Sequence, residues 1–408
     1  MECRHCGTEL VNVFIDLVNQ PPSNSFLDKK QLDEPEIYYP LKIYVCSECL
    51  LVQVEEYKKS QDIFSDEYVY YSSISTSWVG HAKAYVEMAI ERFSLNSESL
   101  VMEIASNDGY LLQWYVEKNI PCIGIEPTGG TAEVAEEKGV PTIRSFFSAE
   151  LARSLVAEGK SPSLLLGNNV LAHVPDINDF VQGLKIALKA GGTITMEFPH
   201  LMNLIELNQF DTIYHEHFSY LSLMSVQTIF AKHGLVVFDV EKLPTHGGSL
   251  RIYACHSEDA GRQASQAVFD LLEEESEHGL GRPEYYEGFQ EKANKVKGDL
   301  LSFLIEQKRA GKKVVAYGAA AKGNTLLNYC GVRNDLLAFC VDASPHKQGM
   351  FMPGSHLPVV SATVLVEQKP DYVLILPWNI KDEIMEQHSY IKEWGGKFVT
   401  PIPELTVY

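Results

Sequence analysis

Two series of alternating apolar and amphipathic segments dominate the chain. From residue 100 the short apolar-rich runs LVMEIA, CIGIEP, PTIRSF, LLLGNN and TITMEFP alternate with segments of helical periodicity that begin at Gly109, Thr131, Ser148 and Asp176. Repeated strand–helix units of this kind predict a parallel, doubly wound α/β sheet with both faces covered. The helix SVQTIFAKHGL and the strands VVFDVEKL and SLRIYACHS follow, and the Gly247-Gly248 pair between those strands suits a closing antiparallel hairpin. After a charged helical stretch over 258–310, a second series runs through KVVAYGAAAKGNTLLNYCG, LLAFCVDAS, YVLILPW, IKDEIMEQHSYIKEWG and KFVTPIP. Ahead of both, LVQVEEY reads as a strand, SDEYVYYSSISTSW as a linker or lid, and HAKAYVEMAIERF as a helix. The expected organisation is a small unit over 1–67, an α/β domain over 68–257 and a second α/β domain over 258–408.

Composition narrows the class. A chain of 408 residues holds two or three domains, and 45% hydrophobic with 22% charged residues fits a globular protein. No window approaches 18 uninterrupted apolar residues, and MECRHCGTELVNVFIDL carries charge where a signal peptide has an apolar core, so a cytoplasmic protein without a membrane partner is expected. Lys plus Arg number 34 against 54 Asp plus Glu, a net charge of -20 that repels a phosphate backbone, so nucleic acid is not an expected partner.

Four of the eight cysteines form two C-x2-C knuckles, Cys3 with Cys6 and Cys46 with Cys49. Four thiolates can close a tetrahedral Zn²⁺ site and leave no open position, so a structural zinc is expected. The insert between the knuckles exceeds the roughly 15 to 20 residues of compact ribbons, but QPPSNSFLDKKQLDEPEIYYP reads as a loop lying outside the metal core. Cys122, Cys255, Cys330 and Cys340 are scattered and read as buried packing.

The chemistry sits at strand ends. Glu103-Ile-Ala-Ser-Asn-Asp-Gly109 is a small-residue turn between a strand and a helix, with Glu103, Ser106, Asp108 and Gly109 as candidate cofactor contacts. It lacks G-x-G-x-x-G, which argues against NAD, and it looks like the first motif of class I S-adenosylmethionine methyltransferases. Glu126 and Pro127 end the next strand, where a carboxylate can accept ribose hydroxyls. Asn168, Asn169 and His173 follow LLLG at the edge where open sheets bind ligands. Tyr214, Glu216 and His217 within YHEH offer a general base, a partner to orient it and a donor for an oxyanion. In the last series, Tyr317, Lys322, Asn324 and Thr325 surround a strand-to-helix turn able to hold a diphosphate, and Asp342, His346 and Lys347 lie in the next loop.

Taken in order, CxxC…CxxC, YVYYSSISTSW, EIASNDGYLL, GIEP, GNNVLAHVPD, EFPH, YHEHFSYLS, THGGSLR and YGAAAKGNTLLN resemble the sugar C-methyltransferases of deoxysugar pathways over nearly the whole chain. The resemblance implies methyl transfer from S-adenosylmethionine to C3 of a nucleotide-linked 4-keto-6-deoxyhexose, a zinc-binding N-terminal domain, a central cofactor domain and a C-terminal domain that holds the nucleotide. It makes His217 the base, with Tyr214 and Glu216 supporting it, and adds Tyr68 and His173. Removal of a C3 proton beside a C4 ketone needs a neutral base and hydrogen-bond donors at the oxygen, roles that His217 and Tyr214, Tyr68 or His173 can fill. The competing readings are a zinc-ribbon RNA methyltransferase, a non-catalytic nucleotide-sugar-binding protein and an NAD-linked epimerase.

Overall fold

A computed structural model describes residues 1–59, 71–259 and 261–408. Its strands form three sheets. Near the N-terminus β1 (Asn12–Gln20), β2 (Tyr39–Val45) and β3 (Val52–Val54) pair antiparallel. The central sheet begins with five parallel strands, β4 (Val101–Ile104), β5 (Cys122–Ile125), β6 (Thr142–Ile143), β7 (Leu164–Asn168) and β8 (Thr193–Pro199). The short β9 (Ser219–Tyr220) then crosses to the N-terminal sheet and pairs with β3. The antiparallel hairpin of β10 (Leu235–Leu243) and β11 (Ser249–His256) closes the central sheet in the order β6-β5-β4-β7-β8-β11-β10. Covered on both faces, β4 is buried at every residue, and this is why the central strands read as apolar runs instead of alternating.

Helix starts follow their caps. Ser148 and Asp176 accept from the amides of Leu151 and Asp179, and the helices Ala149–Ala157 and Ile177–Ala187 follow them directly. The helix expected from Gly109 begins later, at Leu112. Ala105, Asn107 and Gly109 hold φ of 56°, 48° and 72°, and a left-handed turn of this kind cannot continue into a right-handed helix. The helix expected over HAKAYVEMAIERF starts earlier, at Thr76, because the Ser75 hydroxyl caps the Trp78 amide. The tyrosine-rich stretch up to residue 70, Tyr68 included, lies outside the described residues.

The charged stretch forms the helices Gln266–His278 and Phe289–Arg309. Beyond it, β12 (Val314–Tyr317), β13 (Cys340–Val341), β14 (Val359–Val360), β15 (Tyr372–Ile375), β16 (Lys397–Thr400) and β17 (Thr406–Val407) form a sheet ordered β14-β13-β12-β15-β16-β17. All its pairs are parallel except β16 with β17.

The N-terminal sheet is wedged between the other two. Phe14, Ile15 and Leu41 share one core with Phe289, Leu300 and Val314, and the Phe14 and Phe289 rings stack with centroids 4.7 Å apart. Each such aromatic contributes about 1.5–3 kcal/mol by burial, so the sheet and the C-terminal unit hold each other. The knuckles face the other way, with Cys3 and Cys46 in the core that contains Ile177 and Phe180. The carboxyl ends of β4, β5 and β7 are thereby brought opposite the helix Ala321–Cys330 across a single cleft. Among the described residues no helix is long and apolar enough to cross a membrane.

Candidate active site

The Sγ atoms of Cys3, Cys6, Cys46 and Cys49 all lie within 4.8 Å of one another, with Cys3–Cys49 and Cys6–Cys46 at 3.5 Å. Thiolates on a tetrahedron about Zn²⁺, at roughly 2.3 Å from the metal, stand about 3.8 Å apart, so the four residues fit zinc. Both knuckles close alike. Gly7 and Leu50 donate to the carbonyls of Cys3 and Cys46 at 2.9 and 3.1 Å, and both have positive φ, 78° and 58°. Outside the ligands, Gln53 donates to Cys3 Sγ at 3.2 Å, and Arg4 donates to the carbonyls of Pro175 and Val54 with its guanidinium over Phe218. A metal here fixes the knuckle against the central domain and lies apart from the residues that line the cleft.

The cleft encloses about 1030 Å³ and is lined from all three sheets. On the cofactor side it is bounded by Ala105, Asn107, Glu126, Pro127, Asn168 and Asn169. The Glu126 carboxylate accepts from the Asn107 amide at 2.9 Å and from the Thr128 amide and hydroxyl at 2.9 and 2.5 Å. A carboxylate offers about four lone-pair sites, and with the Thr131 hydroxyl also nearby the protein draws on most of them, leaving at most about one for a ligand hydroxyl. Burial raises the Glu126 pKa despite these donors. Behind this wall stand four other candidates. Glu103 is fully buried, its pKa pushed well up by desolvation, while Asp108 turns to the Ser73 hydroxyl and Lys138. Ser106 packs against Gly124, and a Cβ added to Gly109 would stand 3.2 Å from Ala135 and Val140, so these two shape the turn through packing.

Opposite lies a cluster of imidazoles. The His217 Nδ1–H donates to the Thr212 carbonyl at 2.9 Å, and since a carbonyl only accepts, this assigns Nε2 the lone pair. Burial, with His173 and Lys322 nearby, holds the His217 pKa well below the usual imidazole range, so the ring stays neutral. Tyr214 covers it with ring centroids 3.9 Å apart, and His173 stands edge-on at 4.6 Å. The His173 Nδ1–H donates to the Glu216 carbonyl at 2.8 Å. This leaves Nε2 as the acceptor in the neutral ring, and burial lowers its pKa to about 4. Burial raises Glu216 to about 7, and both its oxygens accept from Asn24 Nδ2, at 2.9 and 2.8 Å.

The C-terminal candidates divide. Lys322 and Lys347 line the cleft, the former donating to Asn379 at 2.7 Å over the Trp378 ring, the latter donating to the Ala319 carbonyl at 2.8 Å. Asn324 donates to the Ser23 carbonyl and Thr325 to the Ile213 carbonyl, both buried, which ties this helix to the other two units. Asp342 accepts from the amides of Ala319 and Ser344, Tyr317 meets His388 at 2.7 Å, and His346 stacks on Tyr71. None of these five lines the cleft.

Other residues in or behind the cleft wall escaped the sequence reading. Glu197, fully buried in β8, accepts from His81, Thr245 and Arg251, and these partners hold its pKa down against burial. The signal was a carboxylate inside the otherwise apolar TITMEFP. Asn24 comes from the insert read as lying outside the metal core, and His246 from a turn read only as a hairpin link. No local pattern marks Asn24.

The sheet order and cleft fit a class I S-adenosylmethionine-dependent methyltransferase that carries a four-cysteine zinc-binding domain. Family models agree: a methyltransferase domain matches residues 78–240, a zinc binding domain residues 3–64, and a C-methyltransferase C-terminal domain residues 244–403. C-methyltransferase NovU of Streptomyces niveus is 34% identical over 403 residues, which span 99% of this chain and 96% of that protein. The chain belongs to this C-methyltransferase family and is an S-adenosylmethionine-dependent C-methyltransferase. Among solved structures, a SAM-dependent methyltransferase of Anabaena variabilis matches 42% of this chain and 83% of its own, with 13% identity and TM-score 0.36. Magnesium protoporphyrin IX methyltransferase of Synechocystis with bound SAH matches 44% and 83%, with 13% identity and TM-score 0.36.

Proposed function

We propose that the enzyme methylates C3 of a nucleotide-linked 4-keto-6-deoxyhexose through an enolate, with His217 as general base. The observation that carries this reading is the meeting, in one cleft, of a neutral imidazole, the cofactor edge and two lysines of a chain with net charge -20. When bound, S-adenosylmethionine supplies an electrophilic methyl group. Glu126, Asn168 and Asn169 stand where they would hold it, and Lys322 and Lys347 suit a diphosphate. His217 Nε2 takes the C3 proton, while the Thr212 carbonyl fixes the ring and Tyr214 covers its face. Glu216 keeps the Asn24 loop on the cleft wall. Tyr214, with Tyr68 from the segment outside the described residues, is proposed to bind the sugar. The boundaries 1–67, 68–257 and 258–408 are proposed as the zinc, cofactor and nucleotide-sugar domains.

The test is incubation with methyl-labelled S-adenosylmethionine and a panel of dTDP- and GDP-linked 4-keto-6-deoxy sugars, read by mass spectrometry. Label on a sugar carbon is expected. Label on a hydroxyl oxygen, or on RNA and on no sugar, would discard the reading.

A further inference from the structure

Three of the half-buried imidazoles that line the cleft, His173, His217 and His246, are not equivalent. His217 and His173 both donate Nδ1–H to backbone carbonyls, which leaves Nε2 as the acceptor on each. His246 is wired the opposite way. Its Nε2 accepts from Asn169 Nδ2 at 3.0 Å, so in a neutral ring the proton sits on Nδ1, which has no hydrogen-bond partner among the described residues. Burial and the nearby Lys322 hold this ring neutral, its pKa lowered to about 4.

The backbone holds His246 in place at some cost. His246, Gly247 and Gly248 have consecutive positive φ of 54°, 90° and 110°, a conformation that for histidine is strained. A Cβ on Gly247 would stand 2.5 Å from Trp378 Cη2, and one on Gly248 would stand 2.1 Å from Asn203 Nδ2, so the turn is clamped on both sides and only glycine fits. Thr245 donates to Glu197 at 2.8 Å, and Trp78 meets the His246 ring edge-on at 5.1 Å. A side chain held this firmly in a cleft, with one nitrogen saturated and the other turned loose, is preorganised for one hydrogen bond to a ligand.

We propose that His246 is the electrophilic catalytic residue, its Nδ1–H donating to the C4 oxygen of the keto sugar while His217 Nε2 removes the C3 proton. This rests on the keto-sugar reading above. In the step the C3–H bond breaks with its proton going to His217 Nε2. The C–H electron pair becomes the C3–C4 π bond, and the C4–O π pair moves onto O4. His246 keeps its proton and stabilises the oxyanion, and no oxidant or metal is involved. Base and donor of opposite polarity are thus supplied by the same type of side chain, distinguished by what binds the far nitrogen.

The test has two arms. In the first, dTDP- and GDP-linked 4-keto-6-deoxyglucose labelled with ¹³C at C4 are bound without S-adenosylmethionine, and the carbonyl stretch is read by infrared difference. A shift to lower frequency is expected in wild type and in His217→Asn and its loss in His246→Asn, a side chain that tolerates the left-handed backbone. His246→Asn should also slow exchange of the C3 hydrogen with deuterated water about 10²- to 10³-fold, while S-adenosylmethionine affinity reports that the fold survives. A retained shift in His246→Asn overturns the assignment and leaves the proposed function standing, whereas no shift in wild type overturns the keto-sugar reading itself. In the second arm, ¹⁵N chemical shifts of the unliganded enzyme report the tautomer whatever the substrate. Protonated Nδ1 at His246 is expected, and protonated Nε2, with the Asn169 amide reversed, overturns the proposal.

Discussion

The carboxyl edges of the central and C-terminal sheets face one cleft, but they commit their side chains differently. On the central sheet Glu126, Asn168, Asn169 and His173 all reach the cavity wall. On the C-terminal sheet the corresponding polar residues turn inward: Asn324 and Thr325 bind carbonyls of the N-terminal loop and of residue 213, and Asp342 braces the turn that follows β12. Only Lys322 and Lys347, among the C-terminal candidates, extend far enough to meet a ligand. The two edges arise from the same strand–turn–helix pattern, so that pattern alone does not separate a ligand-facing edge from one that holds neighbouring units in place. Three units meeting at one point require polar ties between them, because a buried carbonyl without a donor is costly.

Substitutions can break this contrast. The largest expected effect is on the catalytic side: His217→Asn should lower kcat by about 10²- to 10⁴-fold, the usual effect of removing a positioned base, while S-adenosylmethionine binding by calorimetry stays unchanged. Turnover at the wild-type rate would move the base to His173, whose Nε2 is an acceptor too. On the structural side, Thr325→Val removes the donor to the buried Ile213 carbonyl and should lower unfolding free energy in urea by about 1–3 kcal/mol. If the variant instead keeps its stability and raises KM for the nucleotide sugar, the C-terminal edge faces ligand and the contrast collapses. Glu126→Ala should weaken S-adenosylmethionine about tenfold, the loss of about one charge-assisted bond at roughly 1.5 kcal/mol, since protein donors occupy the other positions of the carboxylate. Unchanged affinity would place the ribose elsewhere.

How much was legible follows from the range of each interaction. The knuckles and the strand series are written in contiguous residues, so Cys3 through Cys49 and β4 to β8 could be read from spacing and periodicity, whereas the family resemblance singled out His217 within YHEH. The cap residues Ser148 and Asp176 were legible for the same reason, whereas the late helix start at Leu112 depends on left-handed residues that include Ala105, which no propensity marks. Contacts between units were not legible. Asn24 and Glu216 are 192 residues apart, and nothing near either residue names the other. The donor or acceptor character of each histidine was equally hidden, because the partner of the far nitrogen sets it: Thr212 for His217, Glu216 for His173 and Asn169 for His246.

The smallest effect tests the strap between the two halves of the cleft. Glu216 holds Asn24 through both carboxylate oxygens, and burial raises its pKa to about 7. Protonation of one oxygen turns it from acceptor to donor and breaks one of the two bonds to the amide. The rate should therefore fall modestly, by less than about tenfold for one lost hydrogen bond, as pH drops through 7. His217 itself stays unprotonated in that range, because burial holds its pKa well below 6.5. Stability should respond in the opposite sense. The folded pKa lies above the unfolded carboxyl value of about 4.3, so this group's stabilising contribution is full below pH 4 and is lost as pH rises through 7. Profiles of kcat and Tm between pH 5.5 and 8.5 check both signs, and Glu216→Gln should abolish the inflection near 7 in each. An inflection that persists in the variant belongs to another group and removes Glu216 from the strap.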